Sequence, residues 1–293
     1  MPNDDWRSSM FGGAGAGLFS RLVSAPFDVV KIRMQLDASS QDAYVKKHDA
    51  GLARLIKFAK DVYKEEGLVT FFRGNIPGLL MWVGYGAIQF PVFAYAQEAL
   101  RSVGGGNTSA PLINFTAGFC AGATATIATH PLDVMRTRFA GQGLPKEYPS
   151  MASMVMGTGL KGAFQGLQPA LLYVAPSMGI TFSSYTFFRQ HLALVGSSPL
   201  VCGALAGLVT KTLLYPLDIS KKRLQLQGLK RNESVYGPNR HYTGMSNCIY
   251  EIVSTEGGIF RGLYKGFLPG VLKSVVSTAA TFCFYEYISN KLR

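Results

Sequence analysis

The chain has 293 residues, of which 48% are hydrophobic and only 16% are charged. Soluble domains usually carry about 25% charged residues, so this composition disfavours a soluble protein and favours one in contact with lipid. The net charge of +12 would suit nucleic acid or an acidic membrane surface. However, the basic residues lie between apolar segments rather than in a tail, and we expect no nucleic-acid partner. The four cysteines show no CxxC or Cys/His spacing, so no metal site is predicted.

The first third of the chain predicts two long apolar helices separated by a polar segment. The first helix runs from about Ser9 to Leu36 and contains Pro26, which should kink it in a way that neighbouring membrane helices tolerate. The polar segment contains a predicted amphipathic helix at Leu52–Glu66. The second apolar stretch ends near Leu100, before a glycine-rich linker.

The other two thirds of the chain repeat this plan. The second begins near Pro111 with a helix to about Arg138, and its second apolar stretch is Leu167 to about Leu192. The third begins near Ser197 and ends with an apolar stretch from Phe267 to about Ile288. We therefore predict six membrane-spanning helices in three hairpins. The predicted repeat units are residues 8–105, 106–196 and 197–293.

A proline–acid–base phrase occurs once in each third. In every copy the proline is followed two residues later by an aspartate and five residues later by a base. Two glycines precede each proline by thirteen and nine residues. The copies begin at Pro26, Pro131 and Pro216. Three copies with matched glycines indicate a threefold internal repeat.

The basic residues are unevenly distributed between the two predicted faces of the bundle. Segments 27–73, 132–165 and 217–265 contain 21 of the 29 Lys and Arg residues. Because positive charge marks the side that is not translocated, the three long loops are predicted to share one side and both termini the other.

The three phrases are each followed by a glycine-terminated phrase, such as Phe71-Phe72-Arg73-Gly74, and together they resemble the mitochondrial carrier family over essentially the whole chain. The resemblance implies an all-α membrane protein with six transmembrane helices in a pseudo-threefold barrel of three helix–loop–helix repeats, with short amphipathic helices on the matrix side. It implies a multi-pass protein of the mitochondrial inner membrane, with termini in the intermembrane space and loops in the matrix. It also implies transport by alternating access rather than catalysis, and the sequence offers no nucleophile–base pair or phosphate-binding loop.

The acids and bases of the three phrases are predicted to form a gate on the matrix side. Asp28 and Lys31 share a helix face, so they could pair within one helix. We instead expect each acid to meet the base of a neighbouring helix, because charges at membrane depth must be paired or hydrated. The predicted ring consists of Asp28, Lys31, Asp133, Arg136, Asp218 and Lys221. The family resemblance adds glutamine braces at Gln35 and Gln225, whereas Ala140 leaves the second pair unbraced.

The opposite, cytosolic gate is predicted to be weak. Only Arg189 and Glu286 remain as charges at the positions where the family places this gate. One ion pair at most can form there, so we expect the empty protein to rest with its matrix gate closed and its cytosolic side open.

Three cations are predicted to face the central cavity with no acid at the same level. Arg21 and Lys211 lie five residues before their prolines, and Lys273 lies seven residues after a closing glycine. Unpaired cations at matching depths suit an anion with phosphate groups. The other predicted contact residues are Thr126, Met81, Trp82, Tyr85 and Tyr173. The three aromatic residues could stack on a ring of the substrate, with helix packing as their alternative role.

Within this family, the stretches Gly74–Leu80, Gly84–Phe90 and Ser234–Gly237 resemble the carriers of thiamine pyrophosphate. That resemblance implies exchange of thiamine pyrophosphate for (deoxy)nucleotides or related phosphates, with thiamine pyrophosphate as transported substrate and no cofactor. The alternatives are a carrier of coenzyme A, adenosine 3′,5′-diphosphate or adenine nucleotides and, in a different class, a proton-leak uncoupling protein. A monomer is expected, with membrane lipid, cardiolipin included, at the matrix-side helix termini.

Overall fold

A computed structural model describes residues 5–36, 52–103, 110–192, 199–229 and 240–292, which form helices joined by turns and irregular segments, without any strand. The six long helices are α1 (Asp5–Leu36), α3 (Asn75–Val103), α4 (Ala110–Gly141), α6 (Leu167–Leu192), α7 (Pro199–Gln225) and α10 (Phe267–Leu292). The shorter helices are α2 (Leu52–Glu66), a 3₁₀ helix (Leu68–Phe72), α5 (Met151–Ala163), α8 (Met245–Thr255) and α9 (Gly258–Leu263). The predicted all-α fold with two long helices per repeat is confirmed. The predicted stretch Ser234–Gly237 lies outside the described residues.

The long helices form a closed ring because the densest packing joins successive repeats. Helix α3 packs against α4, α6 packs against α7, and α10 returns to pack against α1. The last helix of each repeat thus lies beside the first helix of the next repeat, and the third repeat closes onto the first. This arrangement is the pseudo-threefold barrel that the sequence predicts.

The helices converge at the end that contains the prolines. Pro26, Pro131 and Pro216 each lie inside a continuous helix. Buried apolar clusters begin just beyond them, one around Val29 and Ile32 and another around Ile219. We call this the proline end of the barrel.

The short helices cover the proline end with apolar faces. Leu55 and Val62 of α2 pack against Val30 of α1, and Cys248 and Ile252 of α8 pack in the Ile219 cluster. The amphipathic pattern that predicts α2 therefore corresponds to a buried face.

Each repeat closes its loop segment with a glycine that touches the neighbouring repeat. Gly74, Gly166 and Gly266 have φ values of +80°, +77° and +74°, a conformation that side chains with a Cβ rarely adopt. A Cβ on Gly74 would lie 2.5 Å from the carbonyl oxygen of Arg136, and one on Gly266 would lie 3.0 Å from that of Lys31. The glycines therefore allow the loop backbone to contact the helices that carry the charged ring.

Two described helical stretches, Leu68–Val103 and Leu112–Gly141, are long and apolar enough to cross a membrane by composition alone. Helices α1 and α7 are interrupted by charged residues such as Asp28 and Asp218. Such interruptions are expected where a helix lines a polar interior.

Candidate functional site

Three ion pairs link the first helices of the three repeats at the proline end. Each pair joins an aspartate of one helix to a base of another, so that α1 is linked to α4, α4 to α7 and α7 to α1. The pairs are Asp28 with Arg136, Asp133 with Lys221 at 2.8 Å, and Asp218 with Lys31 at 2.5 Å. Asp28 and Lys31 do not pair with each other, so the ring is formed between helices and is closed in this structure. We call these six residues the charged ring.

Two glutamines support two of the three pairs. The amide of Gln225 donates to Asp133 at 2.8 Å, and the amide of Gln35 donates to Asp218 at 3.2 Å and to the hydroxyl of Tyr215 at 3.0 Å. The side chain at the matching position of α4 is Ala140, which cannot form a hydrogen bond. The pair between Asp28 and Arg136 therefore has no glutamine.

Lys273 takes the place of the absent glutamine. Its Nζ lies 2.6 Å from Oδ1 of Asp28, while Arg136 binds the other oxygen of the same carboxylate. The expectation that no acid lies at the level of Lys273 is therefore wrong. Helices α10 and α1 pack side by side, and this contact brings a lysine of the last helix to an aspartate of the first.

Lys222 is a further member of the site that sequence reasoning missed. Its Nζ lies 3.2 Å from Oδ1 of Asp133 and donates to Thr137 at 2.8 Å and to Gln225 at 3.0 Å. The signal in the sequence is the run of three bases that begins at Lys221. With Lys222 and Lys273 included, five cations face three carboxylates in the described part of the site, and this positive excess favours an anionic ligand.

The other two predicted cations differ in their surroundings. The Nζ of Lys211 donates to the carbonyl oxygen of Gly270 and to the hydroxyl of Ser274 at 2.7 Å. The Nε of Arg21 is buried and has no hydrogen-bond partner among the described residues. Neither cation forms an ion pair with a described carboxylate, as the sequence predicts for both.

A cavity of about 280 Å³ lies on the charged ring and includes several of the predicted contact residues. All six ring residues line it, together with Ile32, Met81, Tyr85, Thr126, Thr129, His130, Lys222 and Lys273. The predicted contacts Met81, Tyr85 and Thr126 thus lie beside the ring.

Two predicted aromatic contacts lie elsewhere. A Cβ on Gly17 would lie 2.7 Å from the Trp82 ring, so this ring packs between α1 and α3 because the glycine makes room for it. Trp82 therefore has the helix-packing role, not the stacking role predicted for it. Tyr173 is half-buried on α6 and lies outside the set of residues that line the cavity.

Of the two residues of the predicted cytosolic gate, the structure describes the side chain of only one. Arg189 is an exposed residue near the end of α6. Glu286 lies in α10, and its side chain is outside the part of the structure that is described. Their ion pair stays a prediction.

Buried carboxylates join the loop segments of the first and third repeats to the barrel. Glu256 accepts hydrogen bonds from Arg223 and, at 2.7 Å, from Lys265. Glu66 binds Arg33 at 2.6 Å and Arg73 at 2.6 Å in the same arrangement. Burial alone would raise the pKa of Glu256, but the hydrogen bonds and charge of Arg223 and the charge of Lys265 outweigh burial and lower that pKa below its usual range.

The second repeat forms the same junction with neutral acceptors at the matching positions. Arg138 donates to the hydroxyl of Thr158 at 3.1 Å and to the side-chain oxygen of Gln165 at 2.8 Å. It also donates to the carbonyl oxygen of Gln225 at 3.0 Å. The geometry of the junction is thus preserved, although Thr158 stands in place of the glutamate and Gln165 in place of the second base.

Comparison with known proteins gives one family across the chain. The sequence model of the family described as "Mitochondrial carrier protein" matches three times, at residues 3–104, 107–196 and 194–293. A protein of Zea mays named "Mitochondrial thiamine diphosphate carrier 1" is 37% identical, with 95% of this chain and 92% of that protein covered. A "Mitochondrial thiamine pyrophosphate carrier" of Macaca fascicularis is 35% identical, with coverage of 95% and 90%. A "Mitochondrial thiamine pyrophosphate carrier 1" of Sclerotinia sclerotiorum is 38% identical, with coverage of 96% and 90%.

Proposed function

The chain belongs to the mitochondrial carrier family, and from that premise we propose that it exchanges thiamine pyrophosphate for nucleotides or related phosphates across the mitochondrial inner membrane. Membership of this family makes the protein a transporter of a mitochondrial membrane rather than an enzyme. The proposal depends most on the cavity at the charged ring, where five cations face three carboxylates. Such an excess of positive charge matches a small phosphorylated substrate.

The chemistry of thiamine pyrophosphate fits the residues around the cavity. The diphosphate requires several cations, which Arg21, Lys211 and Lys273 provide together with the ring. Tyr85 lines the same cavity and offers an aromatic face to the pyrimidine or the thiazolium ring. The names of the similar carriers agree with this substrate.

Substrate binding and gate opening are linked through Lys273 in this proposal. The lysine that would bind a phosphate also binds Asp28 at 2.6 Å, so an entering phosphate competes with the carboxylate for it. An ion pair at an effective dielectric near 20 gains about 4 kcal/mol, before the desolvation cost is subtracted. Loss of the contact between Lys273 and Asp28 weakens the charged ring at the pair of Asp28 with Arg136, which has no glutamine.

The charge distribution supports one orientation of the protein in the membrane. The three basic loop segments lie in the matrix and both termini lie in the intermembrane space. The second gate has one ion pair at most, between Arg189 and Glu286, so the empty carrier rests open towards the intermembrane space. One barrel closes on itself and acts as a monomer, with cardiolipin bound at the helix termini on the matrix side.

Exchange in liposomes tests the function and the site together. The purified protein is reconstituted into liposomes loaded with thiamine pyrophosphate, and uptake of labelled thiamine pyrophosphate is measured. We expect rapid exchange by the wild type and a loss of at least about tenfold in the variants Arg21→Ala, Lys211→Ala and Lys273→Ala, because each removes a charge-assisted contact. Lys161→Ala removes an exposed lysine of α5 and serves as the matched control.

Three outcomes would contradict parts of this proposal. Full exchange by all three variants would refute the site. Exchange of adenine nucleotides or coenzyme A, without exchange of thiamine pyrophosphate, would refute the substrate. A fatty-acid-dependent proton flux without any exchange would refute the carrier activity.

A further inference from the structure

Two glycines of the barrel each bring a cation that the sequence predicts to face the cavity next to a cation of the charged ring. The predicted cations are Arg21 and Lys211, and neither is among the residues that line the cavity at the ring. A Cβ on Gly78 would lie 2.5 Å from Nη2 of Arg21 and 3.2 Å from Nε of Arg136. A Cβ on Gly270 would lie 3.5 Å from Nζ of Lys211 and 3.3 Å from Cε of Lys31. We call Gly78 with its two arginines the first notch.

The second notch is Gly270 with its two lysines, and it is related to the first by the internal repeat. Each glycine lies four residues after the closing glycine of its loop segment, and each is flanked by the cation five residues before the proline of its own repeat. The other cation comes from the next repeat around the ring. In the second repeat, Ala170 stands at the position of the glycine, and Thr126 stands at the position that Arg21 and Lys211 occupy in the other two repeats.

Only one of the two cations of the first notch forms an ion pair with a carboxylate of the described residues. Asp28 binds Arg136 from one side, and Arg21 forms no ion pair and has a buried Nε without a hydrogen-bond partner among the described residues. Two guanidinium groups that lie this close repel each other, and an anion between them removes the repulsion. A guanidinium has five N–H donors, so Arg136 can bind such an anion while it still contacts Asp28.

We propose that the two notches are phosphoryl-binding subsites in which one anion bridges Arg21 or Lys211 and a cation of the charged ring. The inference rests on the phosphate carrier proposed above and adds residues to its site, namely Gly78 and Gly270 as specificity-determining positions and Arg136 and Lys31 as substrate contacts. A phosphoryl group in a notch shares the ring cation with its aspartate and weakens that ion pair, with Asp28 in the first notch and with Asp218 in the second. The second repeat contributes no such subsite.

Binding of inorganic pyrophosphate to the purified full-length protein tests the notches. The probe carries only phosphoryl groups, and its apparent dissociation constant is obtained from the rise in melting temperature with concentration. We expect Gly78→Ala to weaken binding about tenfold, since its Cβ displaces Arg21. We expect Gly270→Ala to weaken binding about threefold, since its Cβ meets the two lysines only at 3.3–3.5 Å.

The matched control is Gly84→Ala on the same helix as Gly78. Its Cβ would meet only Thr129, at an ordinary 3.5 Å, and binding should stay within about twofold of the wild type. A double variant tests whether Gly78 acts through Arg21. If it does, Arg21→Gln combined with Gly78→Ala binds pyrophosphate no more weakly than Arg21→Gln alone.

The possible results separate this inference from the proposed function. Wild-type protein that does not respond to pyrophosphate, or equal binding by wild type and Gly78→Ala, overturns the notches even where thiamine pyrophosphate is exchanged. Weakened binding by Gly78→Ala without exchange of thiamine pyrophosphate supports the notches and refutes the substrate. If Gly78→Ala does not melt cooperatively, Arg21→Gln alone decides, and unchanged binding then overturns the first notch.

Discussion

The junctions between loop segment and barrel differ in chemistry but not in geometry. In the third repeat, Arg223 and Lys265 converge on the buried carboxylate of Glu256. In the second repeat, Arg138 reaches neutral oxygens of Thr158 and Gln165 in the equivalent place. The arginine therefore finds oxygen acceptors in both repeats, and in the second repeat neutral residues stand in place of both the acid and the second base.

The second repeat also differs from the other two at the charged ring and at the notches. The second repeat has Ala140 where the others have glutamine, and Ala170 with Thr126 where the others have a glycine and a cation. All three of these positions hold small, uncharged residues in the second repeat.

The largest expected effect comes from removing the carboxylate of the ionic junction. Glu256→Gln removes the buried carboxylate that both Arg223 and Lys265 contact and should destabilise the protein by about 3–5 kcal/mol. The melting temperature of the purified protein in detergent measures this loss. Glu251→Gln breaks an exposed pair with Arg240 at 3.5 Å and should cost less than about 1 kcal/mol. Equal losses in the two variants would contradict the role of the buried junction.

The contribution of Glu256 should also depend on pH. Its folded pKa lies below its usual value of 4.5, so the stabilisation is fully present above about pH 4.5 and is lost as the pH falls through the folded pKa. Melting temperatures of wild type and Glu256→Gln should therefore differ most at neutral pH and converge on acidification. A difference that stays constant down to pH 3 would show that the charge of Glu256 is not the cause.

An intermediate effect is expected at the neutral junction. Gln165→Ala removes one acceptor from Arg138 and should cost about 1.5 kcal/mol, the contribution of a hydrogen bond to a charged group. The loss should be independent of pH between 6 and 8, because neither Thr158 nor Gln165 titrates there. A difference in melting temperature between wild type and variant that stays constant across this pH range would support the comparison of the two junctions. A loss as large as that of Glu256→Gln would contradict it.

The smallest effect is expected when an acid is introduced into the second repeat. Thr158→Glu places a carboxylate beside Arg138, but the gain from the ion pair is offset by desolvation, so stability should stay within about 1 kcal/mol of the wild type. Thr158→Gln has a similar length without the charge and is the matched control. A stabilisation above about 2 kcal/mol would mean that the second repeat lacks a charge that its junction needs.

The sequence by itself determined the repeat, the six long helices and the family. These features follow from patterns along the chain: apolar stretches, prolines inside them and glycines at fixed distances. The helix bounds differ from the predicted ones by a few residues at most, as for α1, which begins at Asp5 rather than near Ser9.

Only the tertiary structure decided which cations meet which acids across helices. The sequence left Lys273 without a partner, gave Lys222 no role and made Trp82 a substrate contact, whereas the packed barrel brings Lys273 to Asp28, Lys222 to Asp133 and Trp82 to Gly17. Periodicity fixes the face and depth of a residue on its own helix. Distances between helices depend on which helices pack together and on where a glycine lets them approach, and neither is encoded by spacing along one segment.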